Sequence, residues 1–196
     1  MTGEFFLLLG LVGLVVAARR AGGALGMSPL RLVLWGGLLL AGGAVTLDVP
    51  GGPLQLSVNA GGTLVPLAGA IAWSATVPAE ERRRGLWAMV AVAAVGFALL
   101  RVFRAEPPPP WIPPPVLTGV TAGVIAALLP HELRTVIVAA AAGLLVAQCG
   151  VALDLALATE PVSLAVGGAE GYDALVVGVT TGGALALLGK AGDGRP

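Results

Sequence analysis

The sequence is poor in charged residues. Only 11% of its 196 residues are charged, and 57% are hydrophobic, whereas a soluble domain usually carries about 25% charged residues. The same apolar composition excludes intrinsic disorder. The 11 basic residues balance 11 acidic ones, and no basic face gathers that could bind nucleic acid. We therefore predict an integral membrane protein whose main surroundings are the lipid bilayer.

Cysteine and histidine are almost absent. Cys149 is the only cysteine, so a disulfide framework is excluded, and we interpret this residue as a small packed side chain. His131, next to Pro130, is the only histidine. A lone histidine does not provide the several ligands that a protein metal site needs. The sequence accordingly predicts no metal and no cofactor.

Long apolar runs predict an all-α transmembrane bundle of about seven helices. A helix needs about 20 largely apolar residues to cross about 30 Å of hydrocarbon. Charges and prolines bound the runs at residues 4–18, 30–47, 61–77, 86–103, 116–129, 133–158 and 171–188. A re-entrant fifth run would reduce the count to six. We predict one membrane domain over residues 1–190 and a short cytoplasmic tail over residues 191–196.

The distribution of basic residues predicts the orientation. With the N-terminus outside, only Arg101 and Arg104 lie in outer segments, and the other nine of the 11 lysines and arginines lie in cytoplasmic ones. Such an excess is typical of the cytoplasmic side. Arg19 and Arg20 follow the first run, whereas a cleavable signal has its basic residues before it. We predict an uncleaved first helix in the cell inner membrane and a cytoplasmic C-terminus.

Two aspartates in apolar surroundings are the candidate catalytic residues. Asp154 lies in the sixth run and Asp173 begins the seventh, each about ten residues from the turn between them. In a symmetric hairpin both carboxyls reach the same depth near the outer interface. A close carboxyl pair can perform acid–base chemistry, or it can bind a cation or relay protons with Gln148, Glu170 or Asn59. Alternatively, each aspartate caps a helix end.

Glycine-rich turns form the second polar feature. Asn59 precedes Gly61 and Gly62 at the outer entry of the third run, and residues 167–171 are similarly rich in small residues before the seventh. Irregular backbone at membrane depth must be surrounded by protein or water. We therefore expect Asn59, Gly61 and Gly62 to contribute to a binding site at the level of the two aspartates.

Glycines spaced four residues apart predict close helix packing. Gly119 and Gly123 lie in the fifth run, and Gly178 and Gly182 lie in the seventh. Small residues on one helix face allow the backbones of neighbouring membrane helices to approach each other closely.

The segment over residues 106–115 contains seven prolines. This composition is typical of a stiff, polyproline-like loop, which we place outside the membrane. Such a loop is a candidate docking site for a protein partner, and a second copy of the chain is a further candidate partner.

Four pieces of sequence stand out in the region after residue 55. They are residues 56–67, which contain Asn59-Ala60-Gly61-Gly62, the proline-rich residues 107–115, Gly150-Val151-Ala152-Leu153-Asp154-Leu155, and Val166-Gly167-Gly168-Ala169-Glu170-Gly171-Tyr172-Asp173. In this order they resemble the prokaryotic membrane-protein family catalogued as domain of unknown function 1614. The resemblance implies a multi-span inner-membrane protein with no assigned activity. Glu170 and Tyr172 depart from the small residue and phenylalanine usual in that family.

Three functions remain open from the sequence. The first is a non-enzymatic permease for small solutes or ions, or a membrane assembly factor, with an outward-facing polar site around Asp154 and Asp173. The second is an intramembrane aspartyl protease that uses the same two residues for catalysis. The third is a membrane scaffold that binds a partner through residues 106–115. We prefer a non-enzymatic role.

Overall fold

A computed structural model describes residues 29–49, 54–106, 113–130, 132–157 and 162–192. Within these ranges there are six α-helices and three β-strands. The helices are α1 Pro29–Gly43, α2 Val65–Thr76, α3 Ala79–Ala105, α4 Pro114–Ala127, α5 Leu133–Leu157 and α6 Ala169–Gly192. The strands are β1 Thr46–Val49, β2 Leu54–Asn59 and β3 Val162–Val166. The first predicted run, residues 4–18, lies outside the described residues.

The described chain is mostly helical, as the apolar runs predict. Ala79–Ala105, Leu133–Leu157 and Gly171–Gly189 are long and apolar enough to cross a membrane. The other helices are shorter, with 15 residues in α1, 12 in α2 and 14 in α4. At 1.5 Å per residue they measure about 18 to 23 Å, which is less than the hydrocarbon thickness of about 30 Å. Within the described residues, three helices are therefore long and apolar enough to span a bilayer, which is consistent with a membrane protein.

The contacts between helices show that successive helices reverse direction. Gly85 of α3 lies next to Thr135 near the start of α5, and Gly96 lies next to Ala147 further along it. Helices α3 and α5 are therefore parallel. Gly171 and Gly178 of α6 contact Gln148 and Leu144 of α5 in reverse order, so α5 and α6 are antiparallel. Gly119 and Gly123 of α4 contact successive turns of α6 in the same order, so α4 and α6 are parallel too. This alternation is the arrangement expected of consecutive membrane helices.

The core consists largely of small residues. It lies where α3, α4, α5 and α6 meet, and its buried members are Ala88, Val92, Ala122, Ala126, Val136, Ala139, Ala140, Leu144 and Ala174. The two glycine motifs face each other across the α4–α6 contact, with Gly123 against Gly178 and Gly182. The predicted role of these glycines in close helix packing is thus confirmed.

A three-stranded sheet at one end of the bundle was not predicted. Strand β1 pairs antiparallel with β2, and β2 pairs parallel with β3. The second apolar run, residues 30–47, was expected to be one helix, but α1 ends at Gly43 and β1 begins at Thr46. Two weak helix formers, Gly42 and Gly43, precede the β-branched Val45 and Thr46, and this order favours a strand after the helix.

The opposite end of the bundle is joined by buried polar contacts. Trp73 Nε1 donates a hydrogen bond to Thr135 Oγ1 at 3.2 Å, which ties the end of α2 to the start of α5. The buried carboxylate of Glu81 accepts the backbone N–H of Glu132 at 2.8 Å. A carboxylate at this position favours the helix start of α5, whose backbone N–H groups carry partial positive charge.

Candidate functional site

Asn59 joins the end of α1 to the π-helical turn Ala60–Leu64, which leads from β2 into α2. Its buried side chain uses both polar atoms: Oδ1 accepts the N–H of Gly62 at 2.8 Å, and Nδ2 donates to the carbonyl of Gly43 at 2.8 Å. Gly61 packs so closely on the backbone of Gly43 and Leu39 that a Cβ there would collide with both. These contacts give Asn59 and Gly61 a structural role.

The turn after β3 packs directly on the π-helical turn. Thr63 Oγ1 donates to the carbonyl of Val166 at 3.0 Å, and Gln148 Oε1 accepts the N–H of Gly167 at 2.7 Å. Gly167 has a φ of +66°, a conformation that favours glycine. Gly62 and Gly167 touch backbone to backbone, and a Cβ on Gly62 would collide with the carbonyl oxygen of Gly167. We call Asn59, Gly62, Thr63, Gln148 and Gly167 the turn clasp.

Gln148 also covers the beginning of α6. A Cβ on Gly171 would lie 2.6 Å from Gln148 Nε2, so these two residues are in close contact. Of the predicted binding residues, Asn59, Gly61 and Gly62 lie together at the π-helical turn, where Asn59 accepts a hydrogen bond from Gly62. Gln148 is linked to them through Gly167, which touches Gly62 by backbone contact and donates its N–H to Gln148. Glu170 belongs to α6, but its side chain lies outside what the structure describes.

Asp154 forms an ion pair with Arg101 of α3. Arg101 Nε lies 3.4 Å from Asp154 Oδ2, and the two side chains are 58% and 42% exposed. The guanidinium of Arg101 also lies over the ring of Phe97, 5.9 Å from its centroid, within the range of a cation–π contact. Asp154 is therefore directed towards α3, near the ends of two parallel helices.

Asp173 lies at a different level from Asp154. The contact of Gly171 with Gln148 and that of Gly178 with Leu144 fix the register of the antiparallel helices α5 and α6. By this register Asp173 is level with about residue 146 of α5. Asp154 lies eight residues further along α5, which separates the two aspartates by about 12 Å along the helix axis at 1.5 Å per residue. The hairpin is asymmetric because β3 intervenes between the helices.

An open apolar groove lies beside Asp154, between α3 and α5. Its volume is about 550 Å³, and its lining includes Ala93, Phe97, Val146, Gly150, Leu153 and Asp154. Val146 and Leu153 are 52% and 63% exposed. Arg101 stands at one end of this groove through its contacts with Asp154 and Phe97.

Arg101 is the residue that the sequence analysis missed. In the sequence it stands out only as one of the two basic residues assigned to the outer segments. Because the fourth and sixth runs are parallel in any alternating topology, residues near their C-terminal ends lie at similar depth. This signal favours a basic partner for Asp154 from the end of α3, but it does not distinguish Arg101 from Arg104.

Among the residues that the structure describes, no cluster of three or more histidine, cysteine, aspartate or glutamate side chains could hold a metal ion. Comparisons with protein-family models, with curated proteins and with solved structures found no match to this chain. The resemblance to domain of unknown function 1614 therefore stays a prediction from the sequence.

Proposed function

We propose that this chain is a non-catalytic, multi-pass inner-membrane protein that binds a phospholipid from the side, in the groove between α3 and α5. In this proposal the described helices cross the bilayer alternately, the shorter ones with local thinning of the bilayer. The sheet and the Asp154–Arg101 pair lie at its outer face. The predicted polar site stays outward-facing, but Asp154 acts there together with Arg101 and not with Asp173.

The observation that carries this proposal is the combination of groove and ion pair. The groove lies between two of the helices that are long and apolar enough to cross a membrane. Its apolar lining suits acyl chains, and a charge pair near two helix ends suits the headgroup region, where basic side chains reach towards the interface.

Two other predicted functions receive less support from the same contacts. An aspartyl protease needs two carboxyls on one water molecule, whereas Asp154 pairs with Arg101 and stands about 12 Å above the level of Asp173. A permease for ions needs polar groups along a path, but the groove lining is apolar except for Asp154. Partner docking by residues 106–115 stays a prediction, and its residues 107–112 lie outside the described chain.

The proposal is tested by blocking the groove with a large side chain. Ala94 lines the groove and is exposed, while Ala98, one turn later on α3, is exposed and outside the lining. The protein is reconstituted in liposomes with a phospholipid that carries a photoactivatable acyl chain, and the cross-linked residues are mapped by mass spectrometry. We expect adducts to concentrate on groove residues. In Ala94→Trp the adduct yield should fall about tenfold, which corresponds to a loss of roughly 1.4 kcal/mol of binding free energy.

The matched control is Ala98→Trp, which we expect to retain the wild-type adduct yield. Adducts spread evenly over all lipid-facing helices, or equal yields for the two tryptophan variants, would contradict lipid binding in this groove.

A further inference from the structure

The chemical class of the headgroup follows from the two charges at the end of the groove, and this inference rests on the proposed lipid binding. We propose that the groove selects a zwitterionic phospholipid with a primary amine, of the phosphatidylethanolamine type. Arg101 binds the phosphate and Asp154 binds the ammonium, while the acyl chains lie on the apolar lining.

The charges are arranged as a complementary pair. Arg101 and Asp154 are 3.4 Å apart and come from neighbouring parallel helices. Each keeps about half of its side-chain surface exposed, so a headgroup can reach both. The stacking of Arg101 on Phe97 orients the guanidinium next to the groove, since Phe97 itself is part of the lining.

The two partners discriminate among common headgroups by their hydrogen-bonding capacity. A guanidinium donates several hydrogen bonds to phosphate, and a carboxylate accepts hydrogen bonds from a primary ammonium. A trimethylated ammonium has no N–H to donate to Asp154. An anionic glycerol headgroup offers a phosphate to Arg101 but no cation to Asp154. The pair therefore favours the primary amine over both alternatives.

Competition between lipids measures this selectivity. The photoactivatable phospholipid is cross-linked in liposomes with an excess of phosphatidylethanolamine, phosphatidylglycerol or phosphatidylcholine, and groove adducts are counted. We expect phosphatidylethanolamine to compete about threefold to tenfold better than the other two lipids. This is the change in affinity that one partly exposed, charge-assisted hydrogen bond produces. Ratios taken within one preparation are independent of the amount of folded protein.

Single substitutions test which of the two charges binds the phosphate and which binds the ammonium of the headgroup. We expect Asp154→Asn to remove the preference for phosphatidylethanolamine over phosphatidylglycerol, and Arg101→Gln to weaken competition by every phospholipid. Glu106→Gln and Arg104→Gln, both at exposed positions near the end of α3, should leave the ratios unchanged.

The outcomes separate this inference from the proposed function. Groove adducts with equal competition by all three lipids would overturn the headgroup assignment and leave lipid binding intact. A preference that persists in Asp154→Asn would also overturn it. An absence of groove adducts would instead overturn lipid binding itself.

Discussion

Gly62→Ala will strongly destabilise the protein, because the added methyl group has no space in the turn clasp. A Cβ at this position would collide with the carbonyl oxygen of Gly167 and lie 2.8 Å from its Cα. The clash is with backbone atoms, which cannot rotate away as a side chain can, so the two turns must separate. Overpacking of this kind costs typically 1–3 kcal/mol, and we expect about 3 kcal/mol. Unfolding of the purified protein in detergent measures the loss.

Gly37→Ala is the matched control in α1, where a Cβ would meet nothing within 4 Å. Alanine is a better helix former than glycine by up to about 1 kcal/mol, so this variant should be as stable as the parent or more stable. Equal stability of Gly62→Ala and Gly37→Ala would contradict the packing of the turn clasp.

Gly123→Val will separate α4 from α6. A Cβ on Gly123 would lie 2.5 Å from the carbonyl oxygen of Gly178 and 2.7 Å from the N–H nitrogen of Gly182, and valine adds two further carbons. Without that close backbone approach the helices lose packing along their whole contact. We expect a loss of about 3 kcal/mol or more, measured as resistance to unfolding and to proteolysis in detergent.

The same substitution at an open position provides the comparison. Gly189 lies near the end of α6, and a Cβ there would meet nothing within 4 Å. Gly189→Val should change stability by less than about 0.5 kcal/mol, the scale of helix propensity. If both valine variants unfolded alike, the α4–α6 contact described above would be wrong.

Local patterns were sufficient to predict three of the helices and one of the contacts between helices. Apolar runs bounded by charges and prolines identify α3, α5 and α6 to within several residues, since span length and composition are properties of a short segment. The glycine motifs are equally local, because spacing of four residues puts both glycines on one helix face. Their mutual contact in the structure follows from that geometry.

The sheet and the turn clasp could not be predicted because both depend on long-range pairing. The alternation of Leu54–Asn59 and Val162–Val166 is a strand signal, but the pairing of these segments joins residues about 100 positions apart, as in the contact of Thr63 with Val166 (103 positions). Asn59 and Gln148 stand out in the sequence as polar residues in or next to apolar runs, and their role in a binding site stays a prediction. What they contact depends on that pairing, which no local pattern reveals.

The same limit explains why the prediction of equal depth for the two aspartates was wrong. Their equal distance from the turn suggested equal depth, but β3 shifts the register of α5 against α6 by about two helical turns. Asp154 is a polar residue in the apolar helix α5, and its catalytic role stays a prediction. Its partner Arg101 comes from the parallel helix α3, so the hairpin argument could not identify it.

Cysteine accessibility tests most directly whether the two ends of the bundle lie on opposite sides of a membrane. Asp48 on β1 and Ala79 at the start of α3 are both exposed, and each is replaced by cysteine in a Cys149→Ala background. Intact cells are treated with a membrane-impermeant maleimide. We expect Asp48→Cys to be labelled at once and Ala79→Cys only after permeabilisation. Labelling of both cysteines from the same side would contradict the membrane-spanning arrangement on which the proposed site depends.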